Sequence, residues 1–191
     1  QGDLWAQKLI LLGLSKHFPE ARFIVEEKTE GLGVPIIRSS NISSVYEADL
    51  LFGVDPIDGT NQFHPRLWEW SISVGVMVKG KHLGGVVFAP AIFGGAVVAG
   101  ERGKGVFLAE NGGFNVSRVL LAPPEKGKSV LYTGVGLAFL PSYNHFVNSA
   151  AKELLPFKSV GSCALGLAFV AAGRVDVMIQ PAQRPYDWFA G

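Results

Sequence analysis

The sequence predicts an α+β half followed by an α/β half. Two observations carry this. From Trp70, "WSISVGVMVK" alternates with Ile72, Val74, Val76 and Val78 on one side, the period of two of a strand. "HLGGVVFAP", "GGAVVAG" and "KGVFLAE" follow at short intervals, which is the pattern of an antiparallel meander. After about Val116 the pattern changes to alternating strands and helices. The expected division is therefore residues 1–115 and residues 116–191.

The elements follow in order. "DLWAQKLILLGLSKHF" reads as a helix, with Asp3 as cap and Leu4, Lys8, Leu11, Leu12 and Leu14 as a largely apolar body. Pro19 ends it. "ARFIVEE" is a short strand ending in a pair of glutamates, Gly31 to Ser44 is a Gly- and Ser-rich loop, and "DLLFGVD" is a buried strand. Lys79-Gly80-Lys81 is a turn, and "GERGKG" lacks phosphate-loop spacing and reads as a hairpin turn. In the second half "SVLYTGV" is a strand, "YNHFVNSAAKEL" a helix, "PFKSVGS" an extended entry and "VDVMIQ" a strand. "CALGLAFVAAG" is apolar nearly all round, so it is a buried helix, capped by Ser162 and stopped by Gly173.

Composition excludes several roles. Seventeen Lys and Arg against sixteen Asp and Glu give a net charge of +1, with no basic run. That offers no hold on nucleic acid or an acidic membrane. No apolar run reaches the length that spans a bilayer. Cys163 is the single cysteine. It can form no intramolecular disulfide and no thiolate cage, and a cytoplasmic location is expected. The abrupt start "QGDLWAQKLI" and the end "PYDWFAG" are expected to lie inside a longer chain.

The chemistry concentrates in "LLFGVDPIDGTN", residues 50–61. An apolar strand ends on Asp55, and a carboxylate at the edge of a core needs a partner or a cation. Pro56 stiffens the turn and Gly59 permits unusual backbone angles. The turn can aim Asp55 and Asp58 at one point and turn the Ile57 carbonyl the same way. Hard oxygen donors of this kind suit a hard cation, Mg²⁺ first. Gly59 and Thr60 then expose N–H groups that suit phosphate. Taken alone, D-x-x-D-G also fits a turn aspartate followed by a helix cap.

Further motifs extend this reading. "FIVEE" lies upstream; "GSCALGLAFVAAGRVD" and "YDWFAG" lie downstream. Together with "DPIDGTN" and in this order they resemble the inositol monophosphatase family of lithium-sensitive sugar phosphatases, over essentially the whole chain. Tyr186 and Phe189 stand where the family carries Trp and Ala. The resemblance implies a layered αβαβα sandwich, with a metal- and phosphate-binding lobe over 1–115 and an incomplete substrate lobe over 116–191.

It also implies two to three Mg²⁺ ions. Glu26, Asp55 and the Ile57 carbonyl would hold the first. Asp55, Asp58 and Asp187 would hold the second, and a third would lean on Glu26. Thr60 and Glu26 would orient and deprotonate the attacking water, with Asp58 also part of the catalytic set. Gly59 and Thr60 would bind phosphate. Gly161, Ser162 and Cys163 would face the alcohol, with Asp187 beside it, and Glu27 would support the ligands from behind. A homodimer is implied, and the apolar meander could supply its interface.

Counted from Gly161, Gln180 falls where inositol-type members carry a sugar-contacting glutamate. It keeps hydrogen bonding and loses the charge. Inositol phosphate, histidinol phosphate, a fructose bisphosphate and 3′-phosphoadenosine 5′-phosphate stay open as substrates. A catalytically silent metal-binding scaffold is the alternative of another class. His64 has no second His or Cys at ligand spacing, and Cys163 has no adjacent base to make it a nucleophile.

Overall fold

The computed structural model describes residues 2–29, 31–37, 41–92, 94–113, 115–119, 131–134, 145, 148–149, 157–180 and 183–191. Helix α1 spans Gly2–His17 and buries Gln7 and Leu11. Asp3 lies inside the first turn, so it does not cap; its charge faces the positive end of the helix instead. Residues 7, 11 and 14 share one face at helical spacing, so Leu12 falls outside the core and is 49% exposed.

Strand β1, Arg22–Val25, runs parallel to β2, Leu50–Asp58, with Val25 opposite Val54. Between them residues 31–37 and 41–44, the described part of the expected loop, are more ordered than their composition suggests. Ile36 bridges to Phe23, and Ile37 donates its N–H to the Phe23 carbonyl at 2.7 Å. Helix α2, Ile42–Glu47, begins inside the expected loop, capped by Asn41, whose side chain accepts from the Ser44 N–H at 3.3 Å. Burial decides this: Ile37, Val45 and Ala48 join Ile24, Leu51, Met77 and Phe189 in one core cluster.

After the short helix α3, Thr60–Phe63, the meander follows as expected: β3 Ser71–Val78, β4 Lys81–Ala89, β5 Ala96–Glu101, β6 Gly105–Glu110 and β7 Asn115–Arg118. β1 to β7 form one seven-stranded sheet in sequence order, and every pair after β1–β2 is antiparallel. Lys79 and Gly80, at φ 48° and 72°, form the left-handed two-residue turn that matches strand twist.

Strands β8 Leu131–Gly134, β9 Phe157–Val160 and β10 Val177–Ile179 form a parallel sheet in the order β10-β8-β9. Helix α4, Cys163–Ala171, lies between the two sheets. Its Ala164 and Ala168 pack on Val87, while Leu165 packs with Ala89, Ala96 and Val160. Ser162 caps it, accepting from the Leu165 N–H at 3.0 Å, and Gly173 follows at φ 66°. The last helix, α5, is Pro185–Trp188. The layers are thus α1, the large sheet, α4 with α5, and the small sheet. Of the helix expected over "YNHFVNSAAKEL", His145, Asn148 and Ser149 are helical, and the rest lies outside the described residues.

A row of glycines crosses the large sheet: Gly53 pairs with Gly75, Gly75 with Gly85 and Gly85 with Gly100. The chain from Phe189 to Gly191 lies across this row. A Cβ on Gly53 would strike the Phe189 ring, one on Gly75 the Phe189 carbonyl, and one on Gly85 the Ala190 backbone. This close approach seats α5 against the sheet.

Candidate metal and phosphate site

The site is built on the end of β2. Asp55 is 2% exposed and Asp58 is 7% exposed. The pairing with β3 shifts register between them, so both carboxylates turn inward and do not alternate across the strand. Asp55 Oδ1 accepts from the Ile57 N–H at 3.0 Å. Thr60 Oγ1 donates to the Ile57 carbonyl at 3.0 Å, which leaves that oxygen a second lone pair. Gly59 sits at φ 93°, and a Cβ there would lie 2.8 Å from the Glu69 carbonyl. Only glycine fits the turn that presents Thr60.

Two distant segments bring the other acids. Val25 opposite Val54 carries the next residue, Glu26, to Asp55, close enough for the two carboxyls to shift each other's titration. The turn is clamped by Gln7. Its Nε2 donates to the Glu27 carbonyl at 2.8 Å and to Thr29 Oγ1, and its Oε1 accepts from the Glu27 N–H at 2.9 Å. Asp187 comes from α5, where its Oδ2 accepts from the Arg184 N–H at 2.7 Å. Its charge also acts on Asp55.

The electrostatics follow from this crowding. Burial pushes Asp55 up to about 10, and the charges of Asp58, Glu26 and Asp187 push the same way. Burial raises Glu26 and Asp187 too, partly offset by their contact with the Asp55 carboxyl and, for Asp187, by the Arg184 N–H. Burial lifts Asp58 to about 7 against the pull of the Ser162 hydroxyl and the Ala164 N–H. Buried carboxylates facing one another repel unless protons or cations separate them. The donors are all oxygen, which fits a hard divalent cation such as Mg²⁺. They do not yet enclose one: among the described residues no group of three or more His, Cys, Asp or Glu side chains is arranged to hold an ion. Asp58 is turned onto the start of α4 and Asp187 onto Arg184.

The start of α4 closes the site from the other side. Asp58 Oδ2 accepts from Ser162 Oγ at 2.6 Å and from the Ala164 N–H at 2.5 Å. Ser71 Oγ lies 3.1 Å from Ser162 Oγ. Gly161, Ser162 and Cys163 therefore sit beside the acidic turn. Cys163 is buried and its thiol is pushed up to about 12 by burial, with Asp58, Asp187 and Asp55 adding to the effect, so it is no nucleophile at neutral pH. Gln180 follows β10 and has a buried side-chain oxygen. Glu27 takes part through its backbone, held by Gln7, and its charge acts on Glu26. His64 caps α3. Trp70 packs edge-on against Phe63 at 4.9 Å, while Trp68 is exposed.

Sequence reasoning missed Gln7, Ser71 and Gln62. A glutamine between apolar residues on the buried face of α1 was the signal for Gln7. Ser71 is fully buried at the start of a strand whose inward positions are otherwise readable by alternation. Gln62 lies against Gly161, where a Cβ would overlap its carboxamide.

The model of the inositol monophosphatase family matches residues 1–191. The chain is 31% identical to the Nus factor SuhB of Escherichia coli strain K12, over 99% of this chain and 65% of that protein. It is 30% identical to a fructose-1,6-bisphosphatase/inositol-1-monophosphatase of Thermotoga maritima, over 99% of this chain and 64% of that one. The chain thus spans just under two thirds of the length of these relatives. Among solved structures, the extragenic suppressor protein SuhB of Bartonella henselae superimposes with a TM-score of 0.79 at 27% identity, covering all of this chain and 67% of that one. A match of the family model along the whole sequence, with relatives about 30% identical over nearly all of it, makes this chain a member of the inositol monophosphatase family.

Proposed function

We propose that the protein is a Mg²⁺-dependent phosphomonoesterase acting on a small phosphorylated alcohol, inositol monophosphate or a related ester. One observation carries the reading. Asp55 is buried and its carboxyl interacts with those of Glu26, Asp58 and Asp187, next to a turn that presents Gly59 and Thr60. Glu26, Asp55 and the Ile57 carbonyl would hold one ion, and Asp55, Asp58 and Asp187 a second. Bound ions make water a stronger acid and offset charge on the phosphate and the departing oxygen.

The chain's own groups do the rest. The Thr60 hydroxyl, fixed on the Ile57 carbonyl, orients the attacking water, and Glu26 takes its proton. The N–H groups of Gly59 and Thr60 bind phosphate oxygens. Ser162 holds Asp58 in place, and Gly161 to Cys163 form the wall against the alcohol. The P–O bond to the alcohol breaks and the alcohol oxygen regains a proton, with no covalent enzyme intermediate.

A phosphate-release screen over small esters, with and without Mg²⁺ and Li⁺, tests this on the full-length protein. Release that needs Mg²⁺, is slowed by Li⁺ and falls by orders of magnitude in Asp187→Asn is expected. Release unaltered in Asp187→Asn would overturn the assignment, and Mg²⁺ binding without release would favour a silent scaffold. We also propose a homodimer through the sheet face opposite α4. Val86, Phe107 and Val116 are exposed there, and loss of the dimer in Phe107→Glu by light scattering is the check. Among the described residues no helix is long and apolar enough to cross a membrane.

A further inference from the structure

Ser71 is the first residue of β3, is fully buried and lies opposite Asp58 in the sheet. Burying a hydroxyl is unfavourable unless it is hydrogen-bonded. Its partner is Ser162 Oγ, 3.1 Å away. The Ser162 hydroxyl has one hydrogen to give and two lone pairs. The hydrogen goes to Asp58 Oδ2 at 2.6 Å, and one lone pair takes the Leu165 N–H at 3.0 Å. Only the second lone pair is left for Ser71, so Ser71 is the donor. The three groups form a chain with one direction, from Ser71 to Ser162 to Asp58. With both lone pairs of Ser162 taken, its hydrogen is aimed at the carboxylate. The Ala164 N–H holds the same carboxylate oxygen at 2.5 Å.

We propose that Ser71 is a positioning residue of the metal site: through Ser162 it sets the orientation of the Asp58 carboxylate, and with it the chain's affinity for Mg²⁺. The inference rests on the reading of Asp58 as a metal ligand. Groups that hydrogen-bond to a ligating carboxylate orient it and strengthen its hold on the ion. Ser162 is such a group, and Ser71 acts one hydrogen bond further back. Without Ser71 a lone pair of Ser162 is vacant and its hydroxyl is free to turn. A carboxylate already held in place gives up less freedom when it takes an ion.

The test is Mg²⁺ titration calorimetry on the full-length protein, with Ser71→Ala, Ser162→Ala and the double variant. Ser71→Ala should weaken Mg²⁺ binding by about two- to tenfold, the worth of one hydrogen bond. In the Ser162→Ala background the same change should weaken it no further, because the link to Asp58 is already gone. Ser71→Cys keeps the shape with only a weak donor, and it should lose affinity in the same direction should Ser71→Ala fail to fold. Equal losses in both backgrounds overturn the inference and leave Ser71 a packing role. So does an affinity that is unchanged or tighter in Ser71→Ala. Wild-type protein that binds no Mg²⁺, or Asp58→Asn that binds it as the wild type does, overturns the reading of Asp58 as a ligand and the inference with it.

Discussion

Gln7 holds the peptide of Glu27 from both sides, donating to its carbonyl at 2.8 Å and accepting from its N–H at 2.9 Å. The first helix thereby fixes the turn that aims Glu26 at Asp55, although no residue of that helix belongs to the proposed ligand set.

Gln7→Leu should therefore harm the site through its scaffold. It leaves the part-buried Glu27 N–H without its partner and the Glu27 carbonyl with the Thr29 hydroxyl alone, at about 1–3 kcal/mol of stability. A lower melting temperature together with weaker Mg²⁺ binding is expected from thermal unfolding and titration calorimetry. Lower stability with unchanged Mg²⁺ affinity would separate Gln7 from the site.

The pH dependence of the metal-free protein has a definite sign. Asp55 rises from 3.8 to about 10 on folding, and Glu26, Asp58 and Asp187 also rise. Between pH 4 and about 10 the folded chain thus binds more protons than the unfolded one, so its stability falls as pH rises. In EDTA the melting temperature should drop from pH 5 to pH 9, and the rise caused by added Mg²⁺ should grow over the same range. Melting temperatures that climb with pH in EDTA would refute the crowded-carboxylate account.

Ser162 serves α4 and Asp58 with one hydroxyl. Ser162→Ala should cost about 0.5–2 kcal/mol as a lost cap and free Asp58 from its 2.6 Å donor. Phosphate release should fall along with stability. Ser162→Thr keeps the hydroxyl and should restore both, as urea unfolding and turnover will show. Failure of threonine to rescue either would count against the shared role.

Gly75→Ala tests the seat of α5. Its Cβ would land on the Phe189 carbonyl, an overlap that backbone must relieve, and overpacking of this kind costs about 1–3 kcal/mol. Mg²⁺ affinity should fall too, because Asp187 moves with the segment. Gly103→Ala, in open space but at φ 82°, separates backbone strain from overlap: it should leave Mg²⁺ affinity as it was.

What the sequence showed and hid follows from how local each signal is. Asp55 to Thr60 was readable because the turn carries its own chemistry within six residues. The meander was readable because each strand alternates. Pairing of Glu26 with Asp55 depends on parallel register, which only the family resemblance supplied. The helix at Ile42 hid in a Gly- and Ser-rich stretch, because tertiary burial of Val45 and Ala48, not propensity, makes it. Gln7 and Gln62 carry no spacing signature. Gly53, Gly75, Gly85 and Gly100 are scattered along four strands and form a row only once register aligns them.

That row also sets an order of events during synthesis. Strand β2, which bears Asp55 and Asp58, and the meander strands after it leave the ribosome well before Asp187 is made. A nascent chain can pair those strands around an empty glycine track while its acidic turn lacks a ligand. Tight cation binding is then expected to begin only when Phe189 to Gly191 seat on the track. Stalled chains that end before Pro185 should bind Mg²⁺ weakly or not at all, which would make the ion a marker that this segment has docked.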